Sequence, residues 1–317
     1  MKIVVLDGYA LNPGDNPWDE IAAFGDLTVF DRTAPDEVVS RAAGAEVIFT
    51  NKTVVGREEL SRLPDLRYIG VLATGYNIVD VAAARERGIP VTNVPCYSTD
   101  SVAELTFGHI LDLARGVGAH ARWTSGGNWV RAEDYSQWIC PQIELRGKTL
   151  GIVGFGRIGA RVAELGRAFG MPVIAYTPHP GIPPEGVRFG TLEEVLAAAD
   201  FVTLHCPAKA GTVGMVDREF LSRMKPTAFL INTSRGQLIV PEDLADALNA
   251  HRIAGAALDV MEQEPPRPDD PLLTAENAQI TPHIAWATFE ARKRLMHTAA
   301  ENLRAFLSGA PENVVDL

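Results

Sequence analysis

Cysteine is scarce: the 317 residues hold three, Cys96, Cys140 and Cys206, far apart and with no CxxC pair. Such a set supports neither a disulfide framework nor a zinc site, and it fits a reducing cytoplasm. A basic excess is missing too. The net charge of −11 gives no electrostatic ground for nucleic acid or an anionic membrane as partner. An anionic substrate would therefore have to find a local positive site. Long apolar runs are absent as well. The opening stretch has one lysine and then Ile3–Leu6, broken at Asp7, which is strand length and too short for a signal peptide or a membrane span. No internal repeat, low-complexity tract or charge run appears.

What is present is ample apolar material. A hydrophobic content of 46% with 22% charged residues, over this length, suits a globular protein with two cores. Strand-length apolar runs recur at Ile3–Leu6, Leu27–Phe30, Val47–Thr50, Tyr68–Leu72 and Val91–Val94. Helix-like stretches such as Val79–Arg87, stopped by Gly88, lie between several of them. Alternation of this kind indicates a parallel sheet covered on both faces. The stretch Ser101–His120 reads as one long buried helix crossing between domains, and residues Arg122–Leu145 as an irregular, tryptophan-containing excursion. From Thr149 the alternation restarts: strand Thr149–Val153, helix Ala160–Phe169, strand Pro172–Tyr176, helix Leu192–Ala198, strand Phe201–His205. Strands at Ala228–Asn232, Ala254–Asp259 and Ala278–Thr281 follow, and a last helix covers Thr288–Leu307.

The run Gly154-Phe155-Gly156-Arg157-Ile158-Gly159 follows a strand and opens a helix, which is the context that gives this motif meaning. Gly154 permits the tight turn, Gly156 lets a pyrophosphate approach the backbone, and Gly159 lets the helix sit close to the sheet. Unpaired amides at the helix start then face the phosphates. About 20 residues on, an NAD site usually places an acid against the ribose 2′-hydroxyl. Thr177 stands there instead, so repulsion of a 2′-phosphate is lacking, and the nearest downstream arginine is Arg188. NAD is the expected cofactor, with NADP also compatible.

Three further residues each lie just past an expected strand: Arg235, Glu264 and His283. In a doubly wound sheet such strand ends line the ligand crevice. Arg235 offers a fork suited to a carboxylate and the oxygen of a 2-keto acid. His283 can donate a proton to that oxygen as hydride arrives, since imidazole is the side chain suited to proton transfer near neutral pH. Glu264 can orient the imidazole and favour its protonated form. No metal is required. His109, His120, His251 and His297 lie on helix-like stretches and look less suited, and His205 ends a strand with no partner set.

These residues resemble the D-isomer-specific 2-hydroxyacid dehydrogenases, most of all their glycerate dehydrogenase/hydroxypyruvate reductase branch. The likeness runs over essentially the whole chain, through Thr74–Asp80, Tyr97–Glu104, Gly147–Gly154, Asn232–Gly236 and Thr281–Thr288. It implies two doubly wound α/β parallel-sheet domains, a Rossmann dinucleotide domain (100–288) inserted in a flavodoxin-like substrate domain (1–99, completed by 289–317). It also implies an NAD(P)-dependent oxidoreductase acting on glycerate/hydroxypyruvate, glyoxylate also, with Arg235, Glu264 and His283 as catalytic residues. By the same matching the Thr74 and Gly75 amides hold the substrate carboxylate. Cofactor contacts fall on Phe155 to Ile158, Thr177, Cys206, Pro207, Thr212, Thr233, Ser234, Arg235, Asp259, His283 and Ala285. A homodimer is implied, with Trp138 of the Gln137–Cys140 stretch reaching the partner's active site. Thr177 departs from the family's common aspartate. The end at Leu317 leaves no room for the regulatory domain of many phosphoglycerate dehydrogenases. A broad 2-keto acid reductase and a short phosphoglycerate dehydrogenase are the rival enzyme readings. Formate chemistry on this architecture should lack the Glu264–His283 couple, and a dinucleotide-sensing corepressor is the non-enzyme alternative.

Overall fold

Apolar runs of the first hundred residues form β1 (Lys2–Val5), β2 (Asp26–Val29), β3 (Val47–Thr50), β4 (Tyr68–Val71) and β5 (Val91–Thr92). The structure, a computed structural model, describes residues 1–315. These strands pair in parallel in the order β2-β1-β3-β4-β5, the flavodoxin-like arrangement. Period-two alternation sends Val4, Ile48 and Ile69 into one layer with Leu60 and Ala84. Ile3, Val5, Val47 and Phe49 face the other, against Leu295, Ala299 and Leu303 of the helix Phe289–Leu307. Asp7, which breaks the first apolar run, holds the turn after β3: its carboxylate accepts from the amides of Asn51, Lys52 and Thr53 at 2.7, 2.5 and 2.7 Å.

The second sheet comprises β6 (Leu150–Val153), β7 (Val173–Tyr176), β8 (Val187–Phe189), β9 (Phe201–Leu204), β10 (Phe229–Asn232), β11 (Gly255–Leu258) and β12 (Ala278–Ile280). Its order is β12-β11-β10-β9-β6-β7-β8, parallel throughout. That is the Rossmann order extended by one strand, and the direction of winding reverses between β6 and β9. Strand β8 escapes a reading of the sequence because its three residues have Arg188 at the centre.

The chain divides into two compact units, Met1–Ser98 with the segment from Trp286 onward, and Thr99–Ala285. The helix Thr99–Arg115 therefore opens the second unit and falls within it. Its residues Ala103, Phe107, Ile110 and Ala114 bury against Leu150, Ile152 and Ile231 of that unit's own sheet. Nor does it run on to His120. Gly116 adopts φ +57°, a left-handed conformation that ends the helix, and a second helix, Val117–Ser125, starts there. Among the described residues no helix is long and apolar enough to cross a membrane.

Candidate active site

The glycine turn after β6 is shaped by close approaches at two of its three glycines. A Cβ at Gly154, whose φ is +97°, would lie 2.6 Å from the His205 carbonyl carbon, and one at Gly159 would lie 2.3 Å from the Gly154 oxygen. Only glycine lets the turn nest against β9 and the helix Arg157–Ala168 sit down on the turn. At Gly156 the reverse holds. A Cβ there would meet nothing within 4 Å, and no side chain caps the helix that follows. Open space beside uncapped helix-start amides is what a dinucleotide pyrophosphate requires, so the residues present fit that group.

The other positions expected to face the cofactor stand along the same edge of the sheet. Thr177 directly follows β7. Arg188, on β8, engages Glu194 at 3.6 Å. After β9, Cys206 and Pro207 begin a loop fastened by Thr212, whose hydroxyl donates to the Pro207 carbonyl at 2.6 Å and accepts from the Lys209 amide at 2.9 Å. Burial pushes the Cys206 thiol up from its ordinary value.

Past β10, the Asn232 side chain organises the arginine segment. Its Oδ1 accepts from the amide and hydroxyl of Ser234, at 3.0 and 2.9 Å, while its Nδ2 donates to the Arg235 carbonyl at 2.8 Å. The Arg235 guanidinium stays exposed, with Nη1 donating to the Ser234 carbonyl. Next comes a backbone-to-backbone contact. A Cβ at Gly236 would fall 1.9 Å from the Met261 carbonyl carbon, so the arginine segment lies directly on the segment leading to Glu264. Gln237 adds a hydrogen bond to the Glu262 carbonyl at 2.9 Å.

His283 and Glu264 meet. The imidazole Nδ1 lies 2.5 Å from Glu264 Oε2, and Glu264 Oε1 accepts from the Met261 amide at 3.1 Å. Both side chains are about three-tenths exposed, 26% and 32%. A carboxylate at Nδ1 accepts the hydrogen bond from that nitrogen's N–H, which leaves Nε2 to exchange a proton with a ligand. His283 itself sits at φ +54°, a left-handed conformation uncommon outside glycine, although asparagine, aspartate and histidine enter it more readily than other residues. Buried Asp259 holds this turn. Its backbone carbonyl accepts from the His283 amide at 2.8 Å, and its carboxylate from the amides of Ile284 and Ala285 at 2.9 and 2.7 Å.

The remaining expected positions are on other elements. Thr74 and Gly75 follow β4 in the first unit, where the Thr74 hydroxyl donates to the Val94 carbonyl at 2.9 Å. Trp138 stands in the irregular stretch of the second unit, 69% exposed. Of the set-aside histidines, His251 lies not on a helix but in a turn at φ +51°. His109 is buried, with its ring against Thr281, a placement no local pattern signals.

A doubly wound sheet, a glycine cradle fitted to pyrophosphate, and an arginine with a histidine–carboxylate pair at neighbouring strand ends define a dinucleotide-dependent oxidoreductase. The chain belongs to the D-isomer specific 2-hydroxyacid dehydrogenase family, whose NAD binding domain profile matches residues 107–285. It is 47% identical over 321 residues to a hydroxypyruvate reductase of Blautia hydrogenotrophica, covering 100% of both chains. It is 38% identical over 284 residues to a glycerate dehydrogenase of Methylorubrum extorquens, covering 89% of each. Among solved structures, the NADPH-dependent glyoxylate/hydroxypyruvate reductase of Sinorhizobium meliloti, in complex with NADP and malonate, is similar at TM-score 0.85. That pair shares 30% identity and covers 99% of this chain and 96% of the other.

Proposed function

We propose that the protein interconverts hydroxypyruvate and D-glycerate, and reduces glyoxylate as well. The His283–Glu264 pair at 2.5 Å, beside an exposed Arg235 on the same sheet edge, carries this reading. The reduced nicotinamide supplies the hydride when bound. Arg235 grips the substrate carboxylate and the keto oxygen through its guanidinium fork. As that oxygen gains charge, His283 gives it the Nε2 proton, while Glu264 holds the ring and offsets its positive charge. The names of the relatives support the small, polar keto acid. Steady-state oxidation of NADH and NADPH against hydroxypyruvate, glyoxylate, pyruvate and phosphohydroxypyruvate tests it. Hydroxypyruvate should give the highest kcat/KM, and a clear preference for phosphohydroxypyruvate or pyruvate would overturn the substrate assignment.

The cofactor reading is NAD, with NADP accepted. Thr177 neither repels a 2′-phosphate nor binds one through charge, and Arg188 is engaged by Glu194. Discrimination between NADH and NADPH should therefore stay within roughly 2–3 kcal/mol, the scale of one or two charge-assisted contacts. Thr177→Asp should shift the kcat/KM ratio towards NADH. An unchanged ratio in that variant would place the ribose away from position 177.

A homodimer completes the reading. Apolar side chains stand exposed in one segment of the second unit, with Val130 and Tyr135 each 91% and Trp138 69% exposed. Clustered aromatic exposure of this kind suits a protein interface. Trp138 would there reach the substrate of a second copy. Trp138→Ala should lower the preference for hydroxypyruvate over bulkier keto acids while sedimentation still shows a dimer. Loss of the dimer with selectivity preserved would reduce Trp138 to an ordinary interface residue.

A further inference from the structure

The helix Thr99–Arg115 has two jobs, and only one of them is packing. Its apolar stripe lies on the sheet, while three polar side chains leave it for the loops at the strand ends. Ser101 donates to the Ala285 carbonyl, just past His283. Thr106 donates to its own helix at Val102, so the Thr233 hydroxyl, 2.9 Å away and two residues before Arg235, is the donor to Thr106. His109 reaches Thr281 Oγ1 with Nε2 at 3.2 Å.

The last contact has a definite polarity. Thr281 Oγ1 also lies 2.6 Å from Asp259 Oδ1. A carboxylate accepts only, so the single hydroxyl proton of Thr281 goes to Asp259. What remains on Thr281 is a lone pair, and His109 must meet it with Nε2–H. Burial pushes the His109 imidazole below its ordinary value, against the pull of Asp259 and Asp112, so the ring stays neutral and its tautomer is set by this contact. With Thr281 and the two amides, the buried Asp259 carboxylate has three donors, and the positions flanking the left-handed turn at His283 are held from one centre.

We propose that His109 is a positioning residue for His283, acting through the chain His109 Nε2–H to Thr281 Oγ1–H to Asp259, which fixes the turn that presents the imidazole. This rests on the reading of His283 as the proton donor. Loss of the His109 donor leaves the Thr281 hydroxyl held by Asp259 alone, and the clamp on the turn loosens. Errors of about 1 Å in placement cost up to roughly a hundredfold in rate.

The test is kcat and KM for hydroxypyruvate with saturating NADH, together with NADH binding by fluorescence, in His109→Leu, Thr281→Val, the double variant and Thr281→Ser. His109→Leu and Thr281→Val should each lower kcat about ten- to a hundredfold, with a smaller effect on KM and NADH affinity. The double variant should be no slower than the worse single one, because both break the same chain. Thr281→Ser, which keeps the hydroxyl, should restore most of the rate. His109→Gln, which keeps an amide N–H near the same point, should retain activity and serves where the leucine variant fails to fold. Near-normal kcat in Thr281→Val, or losses that multiply in the double variant, would overturn the chain. The reading of His283 fails separately, by an active His283→Ala enzyme.

Discussion

Alanine in place of His283 should lower kcat for hydroxypyruvate reduction roughly 10²–10⁴-fold, the usual span for a lost general acid. Cofactor binding should survive, because the glycine turn after β6 is untouched. Glu264→Gln should cost less, roughly tenfold, since the amide oxygen can still accept from Nδ1 but no longer offsets an imidazolium. Steady-state kinetics beside equilibrium NADH binding separates these effects. A His283→Ala enzyme that turns over at the normal rate would sink the assignment of the site, because the proposed proton transfer, with Glu264 behind it, runs through His283.

The second large effect concerns stability in acid. His205 follows β9 at the point where Gly154 nests, and both its ring nitrogens are shielded from solvent with no hydrogen-bond partner among the described residues. Burial pushes its pKa down to about 3. An unfolded chain takes up the proton below about pH 6.5, whereas the folded protein refuses it until about pH 3. Folding stability is thus undiminished above pH 6.5 and falls as pH drops through the window between those values. The contribution lost by pH 5 is about 2 kcal/mol at one pKa unit per 1.4 kcal/mol. His205→Leu removes the titration. Denaturant unfolding at pH 7.5 and pH 5 should show a smaller acid loss in the variant, and identical losses in both proteins would exclude this origin.

Much of the fold is legible in the sequence because it rests on local pattern. Near-continuous apolar strands such as Leu150–Val153 and Phe229–Asn232 announce a parallel sheet, and Gly154, Gly156 and Gly159 mark one turn by their spacing alone. Two features are illegible for physical reasons. Strand β8 owes its existence to pairing with β7, where Arg188 sits opposite Ile174, and three residues carry no period of their own. Gly116 could be a tolerated glycine within a helix until its φ is seen, since Val117 continues the apolar pattern. In the site, the residue types at the strand ends declare their chemistry, but not what holds them. His109 meets Thr281 across 172 positions of chain, and helical periodicity files a buried histidine among core residues. Asp259 likewise shows its grip on Ile284 and Ala285 only when β11 and β12 lie side by side.

The bare contact at Gly236 has a mechanical consequence. With no side chain between that glycine and the Met261 carbonyl, the two segments have no play between them. The backbone that carries Arg235 cannot shift independently, because the backbone that follows it bears on the backbone that leads to Glu264. On the proposed reading, grip on the substrate and support of the proton donor are therefore geared to each other. A single methyl group at position 236 would strip that gear, disturbing both functions from a residue that touches neither ligand.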